Sequence, residues 1–157
     1  MENSIANNIT NNMINNVIIR EITHEDFHNG LLELYEQHFF IKPEKISENM
    51  FSDFLQKKPN EYKIFGFFDN NTIIACATCF IEQKLIHNLG KVGHIEDVIV
   101  NTNYRGKNFG RKIIDHCVNY AKQNDCYKII LDCVETNVCF YEKCGFEKKG
   151  AFMVLYT

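Results

Sequence analysis

Gly93-His94-Ile95-Glu96-Asp97-Val98-Ile99-Val100 runs directly into Asn101-Thr102-Asn103-Tyr104-Arg105-Gly106-Lys107-Asn108-Phe109-Gly110, and the fold follows from how this stretch is read. Residues 94–100 are mostly β-branched and apolar, which marks a strand. The glycine-containing loop breaks that pattern, and a helical stripe follows: Phe109, Ile113, Ile114, Cys117, Val118 and Ala121. Arg105, Lys107, Arg111 and Lys112 fall within eight residues that hold no acid. The first N–H groups of a helix lack intrahelical partners, and the helix dipole adds partial positive charge there. Glycine lets that backbone come close to a ligand, so the arrangement suits an anion such as a pyrophosphate. Alone, the same loop also fits a solvated turn ahead of a surface helix. It is not a P-loop, because no Gly-Lys-Ser/Thr closes it. It also lacks the third glycine and later acid of a dinucleotide fingerprint.

Upstream, residues 17–20 read as a strand, and Thr23 or the acids after it as the cap of a helix. Phe27, Leu31, Leu34 and Phe39 keep approximate helical spacing, and a second short helix fits 47–55. Residues 62–68 and 72–82 flank Asp69-Asn70-Asn71 and predict an antiparallel hairpin. Downstream, 127–133 reads as a strand, 137–143 as a short helix closed by Gly145, and 150–156 as a final strand. The order β-α-α-β-β-β-α-β-α-β predicts a mixed α/β layer fold.

The 157 residues suit one domain over 17–157, large enough to fold without disulfide or metal staples. Residues 1–16 hold seven asparagines and little apolar surface, so a disordered tail is expected there. A net charge of −3 argues against a general nucleic-acid binder. The longest apolar run, 73–81, is about half a membrane span, and the N-terminus lacks a signal-peptide pattern. Seven cysteines are expected to be reduced thiols in a cytoplasmic protein. Cys76-Ala77-Thr78-Cys79 has the spacing of a metal or redox pair. On a strand, however, residues three apart face opposite sides, so buried thiols are expected and no metal site. His24, His28, His38 and His116 are expected on helix surfaces.

Arg105-Gly106-Lys107-Asn108-Phe109-Gly110 matches the Arg/Gln-x-x-Gly-x-Gly/Ala loop of acetyl-CoA-dependent N-acetyltransferases, with Asn108 at the middle glycine. Asparagine is among the few residues that tolerate a left-handed backbone. On this loop the chain resembles the GNAT superfamily. Lys84-Leu85-Ile86-His87-Asn88, residues 93–98, residues 126–133 and residues 137–146 resemble, in order, its glucosamine 6-phosphate N-acetyltransferase family. The resemblance implies a GNAT acyl-CoA N-acyltransferase fold, a mixed central sheet with helices on both faces. It implies acetyl transfer from acetyl-CoA to the 2-amine of D-glucosamine 6-phosphate, a step towards UDP-N-acetylglucosamine. It also implies a homodimer with shared sites.

An aminosugar ammonium must lose a proton before it attacks a thioester, so a carboxylate, or a water held by one, is wanted. By resemblance, Glu96 and Asp97 are the acceptor-site acids, with Glu96 the better base, and Asp132 lies at the acyl-transfer centre. Tyr141, one helical turn after Asn137, would aid the leaving thiolate. The resemblance further assigns cofactor binding to the backbone of Val98 and Val100, to Arg105, Gly106, Lys107, Asn108, Phe109, Gly110 and Arg111, and to Asn137 and Tyr141. It assigns the acceptor to Lys84, His87, Glu96, Asp97, Tyr127 and Lys128, with Tyr127 and Lys128 reaching the sugar phosphate of a neighbouring subunit. The family's basic residue near the C-terminus is missing from Val154-Leu155-Tyr156-Thr157. Two other readings stay open: a GNAT enzyme for another small amine or a protein amine, and a non-catalytic acyl-CoA sensor.

Overall fold

The strands β1 (Val17–Glu21), β2 (Tyr62–Asp69), β3 (Thr72–Gln83), β4 (Lys91–Val100) and β5 (Cys126–Ile130) form one sheet in chain order. The computed structural model describes residues 17–157, and the tail expected over 1–16 lies outside the described residues. The first four strands pair antiparallel, and β5 pairs parallel to β4. A parallel neighbour needs a crossover. The helix α3 (Phe109–Gln123) supplies it, while α1 (Leu31–Glu36), α2 (Glu48–Lys57) and α4 (Val138–Lys143) complete the helices that matter here.

β3 runs through the middle, with every residue from Ile73 to Cys79 buried. Such a strand reads as continuously apolar because both of its faces are covered. One core joins Ile74, Ala77, Cys79 and Ile95 to Ile113, Ile114, Cys117 and Ala121 of α3. The other joins Ile73, Cys76 and Ile99 to Leu31, Leu32 and Leu34 of α1 and Phe51 of α2. Cys76 and Cys79 therefore sit in different cores, as strand alternation requires. The helical stripe read from α3 is the buried one, with Phe109 and Val118 partly covered at its flank. At Gly93 an added Cβ would lie 2.8 Å from the Ala121 Cβ, so this glycine lets α3 settle directly on β4.

β4 contains a bulge. Its register with β3 slips between Cys76 and Thr78, so that Asp97 and Val98 together face Ala77. Asp97 takes a left-handed backbone, φ 52°. The consequence is a change of face: Ile95 packs in the α3 core, whereas Ile99, an even number of residues on, packs in the opposite core.

Three expected elements come out differently. The helix expected after Thr23 is broken into a 3₁₀ turn (His24–Asp26) and the short α1. Asp26, 1% exposed, accepts from Arg20 Nη1 and Nη2 at 2.7 and 2.6 Å, from the Thr23 amide at 2.8 Å and from Asn29 Nδ2 at 2.9 Å. These bonds fix a compact turn, and Gly30 at φ 86° restarts the helix. The strand expected over 127–133 ends at Ile130, so Asp132 lies beyond it. The segment 150–156 joins no strand among the described residues, and Phe152, Met153, Val154, Leu155 and Tyr156 are all more than half exposed. Strand-like composition names a face to bury, but it names no partner. No helix among the described residues is long and apolar enough to cross a membrane.

Candidate active site

β5 pairs with β4 only between Lys91 and His94, and the ladder stops where His94 meets Ile130. Beyond that point β4 keeps β3 on one side and, among the described residues, has no strand on the other. Main-chain groups around Val98 and Val100 thus border a gap into which an extended ligand could pair, as a peptide adds to a sheet edge. The loop from Asn101 to Asn108 lies at one end of this gap. Asn101 caps a 3₁₀ turn (Thr102–Tyr104) by accepting from the Asn103 amide at 3.0 Å. Gly106 has φ 76° and nothing within 4 Å of where a Cβ would stand. Asn108 has φ 67° and serves as the N-cap of α3, adopting the left-handed conformation expected of the residue replacing glycine. The amides of Phe109, Gly110 and Arg111 open the helix, whose first turn holds no acid. At Gly110 a Cβ would lie 3.2 Å from Phe140 and 3.5 Å from Val100, so α4, the β4 edge and the start of α3 meet there.

At the other end of the gap Glu96, Asp132 and Tyr141 lie within electrostatic reach of one another, and Asp97 follows Glu96 on β4. Burial raises the Glu96 carboxyl, and the neighbouring charges of Asp132 and Asp97 raise it further. Burial also raises Asp97, opposed by the Thr78 hydroxyl, which donates to Oδ2 at 3.4 Å. Tyr141 is pushed up to about 12, by burial first and then by Cys133, Cys144, Asp132 and Glu96. Its phenol is therefore protonated at neutral pH and able to donate. A carboxyl whose pKa is raised towards neutrality and a protonated phenol are a base and an acid beside one opening. Asn137 sits at the N-cap of α4, one turn ahead of Tyr141.

The remaining acceptor residues gather elsewhere. His87 stacks on Tyr127 with ring centroids 4.2 Å apart, and Lys128 Nζ lies 5.8 Å from the Tyr127 ring. Lys84 is paired with Glu82, whose other oxygen meets His94 Nε2 at 2.9 Å. Lys128 pairs in register with Val92, four residues before Glu96. At ~3.3 Å per residue these groups are roughly 13 Å apart along the strand. Between β3 and β4 the chain makes a left-handed turn at His87, Asn88 and Leu89 (φ 53°, 55° and 62°) that leaves Leu85, Ile86 and Leu89 exposed.

The sequence profile of the Acetyltransferase (GNAT) family matches residues 21–146. The chain belongs to the GNAT acetyltransferase family. GNAT enzymes use acetyl-CoA as co-substrate. The chain is 44% identical over 137 residues to glucosamine 6-phosphate N-acetyltransferase 1 of Dictyostelium discoideum, an alignment covering 84% of this chain and 85% of that protein. It is 49% identical over 82 residues to the glucosamine 6-phosphate N-acetyltransferase of Candida albicans, covering 52% of this chain and 55% of that one. The crystal structure of glucosamine-6-phosphate N-acetyltransferase from Arabidopsis thaliana superposes with a TM-score of 0.85 at 32% identity, over 89% of this chain and 97% of that one. The GNAT fold expected from the sequence, a mixed sheet with helices on both faces, is the one observed.

One contact at the GNAT loop is invisible to sequence spacing. Arg105 Nη2 donates to His38 Nε2 at 2.8 Å across 67 positions of chain. Burial and the Arg105 charge lower the His38 pKa, which keeps its imidazole neutral and able to accept. His38 lies after α1, in the connection to α2, and not on a helix as expected. His116 is on α3 but half-buried against the Phe65 ring, centroids 4.5 Å apart. Among the described residues no group of three or more His, Cys, Asp or Glu side chains could hold a metal ion.

Proposed function

We propose that this protein transfers the acetyl group of acetyl-CoA to the 2-amine of D-glucosamine 6-phosphate, releasing CoA and N-acetyl-D-glucosamine 6-phosphate. The observation that carries the chemistry is the grouping of Glu96, Asp97, Asp132 and Tyr141 where β4 and β5 part. The acceptor is supported by the Dictyostelium relative, which aligns over most of both chains. In this reading the pyrophosphate of acetyl-CoA lies against the loop and α3 start, from Arg105 to Arg111. Its pantetheine pairs with the β4 main chain at Val98 and Val100, and Asn137 borders the same arm. Glu96, directly or through water, takes a proton from the acceptor ammonium, and Asp97 and Asp132 hold the amine. The free amine attacks the thioester carbonyl, the C–S bond breaks as Tyr141 gives its proton to the departing thiolate, and the nitrogen releases its extra proton, by way of solvent, to restore the Tyr141 phenol. Attack is direct in a ternary complex. Burial pushes the Cys76 thiol up to about 12 and also raises Cys133 and Cys144, so none of these three is a ready nucleophile.

The reading extends to a homodimer with shared sites, working in the cytoplasm in the synthesis of UDP-N-acetylglucosamine. Two features support the dimer. Lys128 leaves the sheet roughly 13 Å along the strand direction from Glu96 of its own chain, with His87 stacked on its neighbour Tyr127. The apolar side chains of Leu85, Ile86 and Leu89 in the turn that carries His87 are exposed, where a second copy would cover them. The deciding assay is thiol release from acetyl-CoA with glucosamine 6-phosphate, glucosamine and spermidine in parallel. Release with the phosphorylated sugar alone is the expected result. Release with another amine would keep the acetyl transfer and discard the sugar, and saturable CoA binding without release would make the protein a sensor.

A further inference from the structure

The anion loop is tethered at both ends to the β2–β3 hairpin. On one side of residues 105–108, the Tyr104 hydroxyl donates to Asp69 Oδ2 at 2.9 Å, at the end of β2. On the other, the Phe109 ring packs edge-on against Phe67 of the same strand, centroids 5.5 Å apart. Tyr104 and Phe109 also pack on each other at 6.1 Å, which closes a ring of contacts beneath the loop. The Lys107 ammonium stands 4.9 Å from the Tyr104 ring centroid. Arg105 and Lys107 repel each other until an anion binds, and without a tether the loop would spread to separate them. The Asp69 carboxylate accepts the Tyr104 proton in a hydrogen bond, which raises the Tyr104 pKa.

We propose that Tyr104, through its hydrogen bond to Asp69, is a positioning residue that holds the 105–108 loop ready for the cofactor's pyrophosphate. The proposal rests on the reading of that loop as the pyrophosphate site. It acts on binding of the nucleotide end of acetyl-CoA and leaves the acetyl-transfer step alone.

The test compares acetyl-CoA with S-acetylpantetheine, a thioester without the pyrophosphate, in the wild type, Tyr104→Phe, Asp69→Ala and the double variant. Loss of a bond to a charged acceptor predicts a KM for acetyl-CoA higher by roughly ten- to a hundredfold. The KM for S-acetylpantetheine and the kcat with saturating acetyl-CoA are expected to stay within about twofold of wild type, and the double variant to match the single ones. Equal increases for both thioesters, no increase for either, or additive losses in the double variant would overturn the latch. If wild type itself does not prefer acetyl-CoA, the pyrophosphate reading fails and the latch with it. If wild type prefers it and Tyr104→Phe keeps the full preference, only the latch fails. Should Tyr104→Phe melt far below wild type, Asp69→Asn serves instead: it keeps a neutral acceptor, and a smaller rise in KM, confined to acetyl-CoA, is expected.

Discussion

Around Glu96 the chain builds its own walls: β3 and β4 below, Tyr141 of α4 within electrostatic reach, and burial enough to move the pKa of Glu96, Asp97 and Tyr141. Around Lys128 it does not. There the supports are one aromatic stack, a left-handed turn with its apolar side chains turned out, and a strand edge. On the proposed function, the difference means that one chain would complete the chemistry and leave acceptor recognition to be finished by a second. A group that must donate or take a proton at a chosen pH needs desolvation, and its own core supplies that. A group that only has to pair with a phosphate can stay exposed until another surface arrives.

The comparison breaks first at its catalytic half. Tyr141→Phe is expected to lower kcat by ~10²–10⁴-fold with little change in the Kd for acetyl-CoA, measured by calorimetry. An unchanged kcat would remove Tyr141 from the proton inventory. Glu96→Gln is expected to lower kcat/KM over a similar range. In the proposed mechanism the active form is the carboxylate, and its pKa is raised. Activity therefore falls as pH drops through a value above that of an ordinary glutamate, and this acidic limb should disappear in the variant.

Lys128→Ala sharpens the comparison from the other side. A lost charge-assisted bond predicts a KM for the sugar phosphate higher by about ten- to a hundredfold, with kcat nearly kept. Mixing this variant with Tyr141→Phe tests whether sites are shared: a heterodimer of the two has one site with both lesions and one with neither. Activity well above that of either parent is expected, and none above it would confine each site to one chain. The smallest functional effect belongs to Asp26→Asn, far from both halves. Burial pushes Asp26 up, but its bonds to Arg20, Thr23 and Asn29 outweigh this and hold it at about 2. A carboxyl lowered on folding stabilises above its unfolded pKa and loses that contribution as pH falls through the folded one. Removing it should cost about 2 kcal/mol at pH 7 by denaturant titration and leave both KM values unmoved.

The sequence is most legible where periodicity and burial coincide. The α3 stripe, the β2–β3 hairpin and the glycine loop were all readable because each is decided by residues a few positions apart. The break at Gly30 was not, because it depends on Asp26 drawing in Arg20 from β1. The change of face at Asp97 was hidden too, since an unbroken alternation along β4 puts Ile95 and Ile99 on the same side. Of the site, Glu96, Asp97 and Tyr141 were legible through the family's motifs. His38 and Tyr104 were not, because their partners, Arg105 and Asp69, lie far along the chain and no local pattern links them.

The placement of the cysteines gives the protein internal clocks. Cys76 is sealed in the core under α1 and α2, Cys79 and Cys117 in the core under α3, and Cys139 is open to solvent. A thiol reagent added to the native protein labels Cys139 at once and reaches the sealed three only when a layer lifts. Mass spectrometry of the labelled peptides would then give the opening rate of each side of the sheet separately, with no probe introduced.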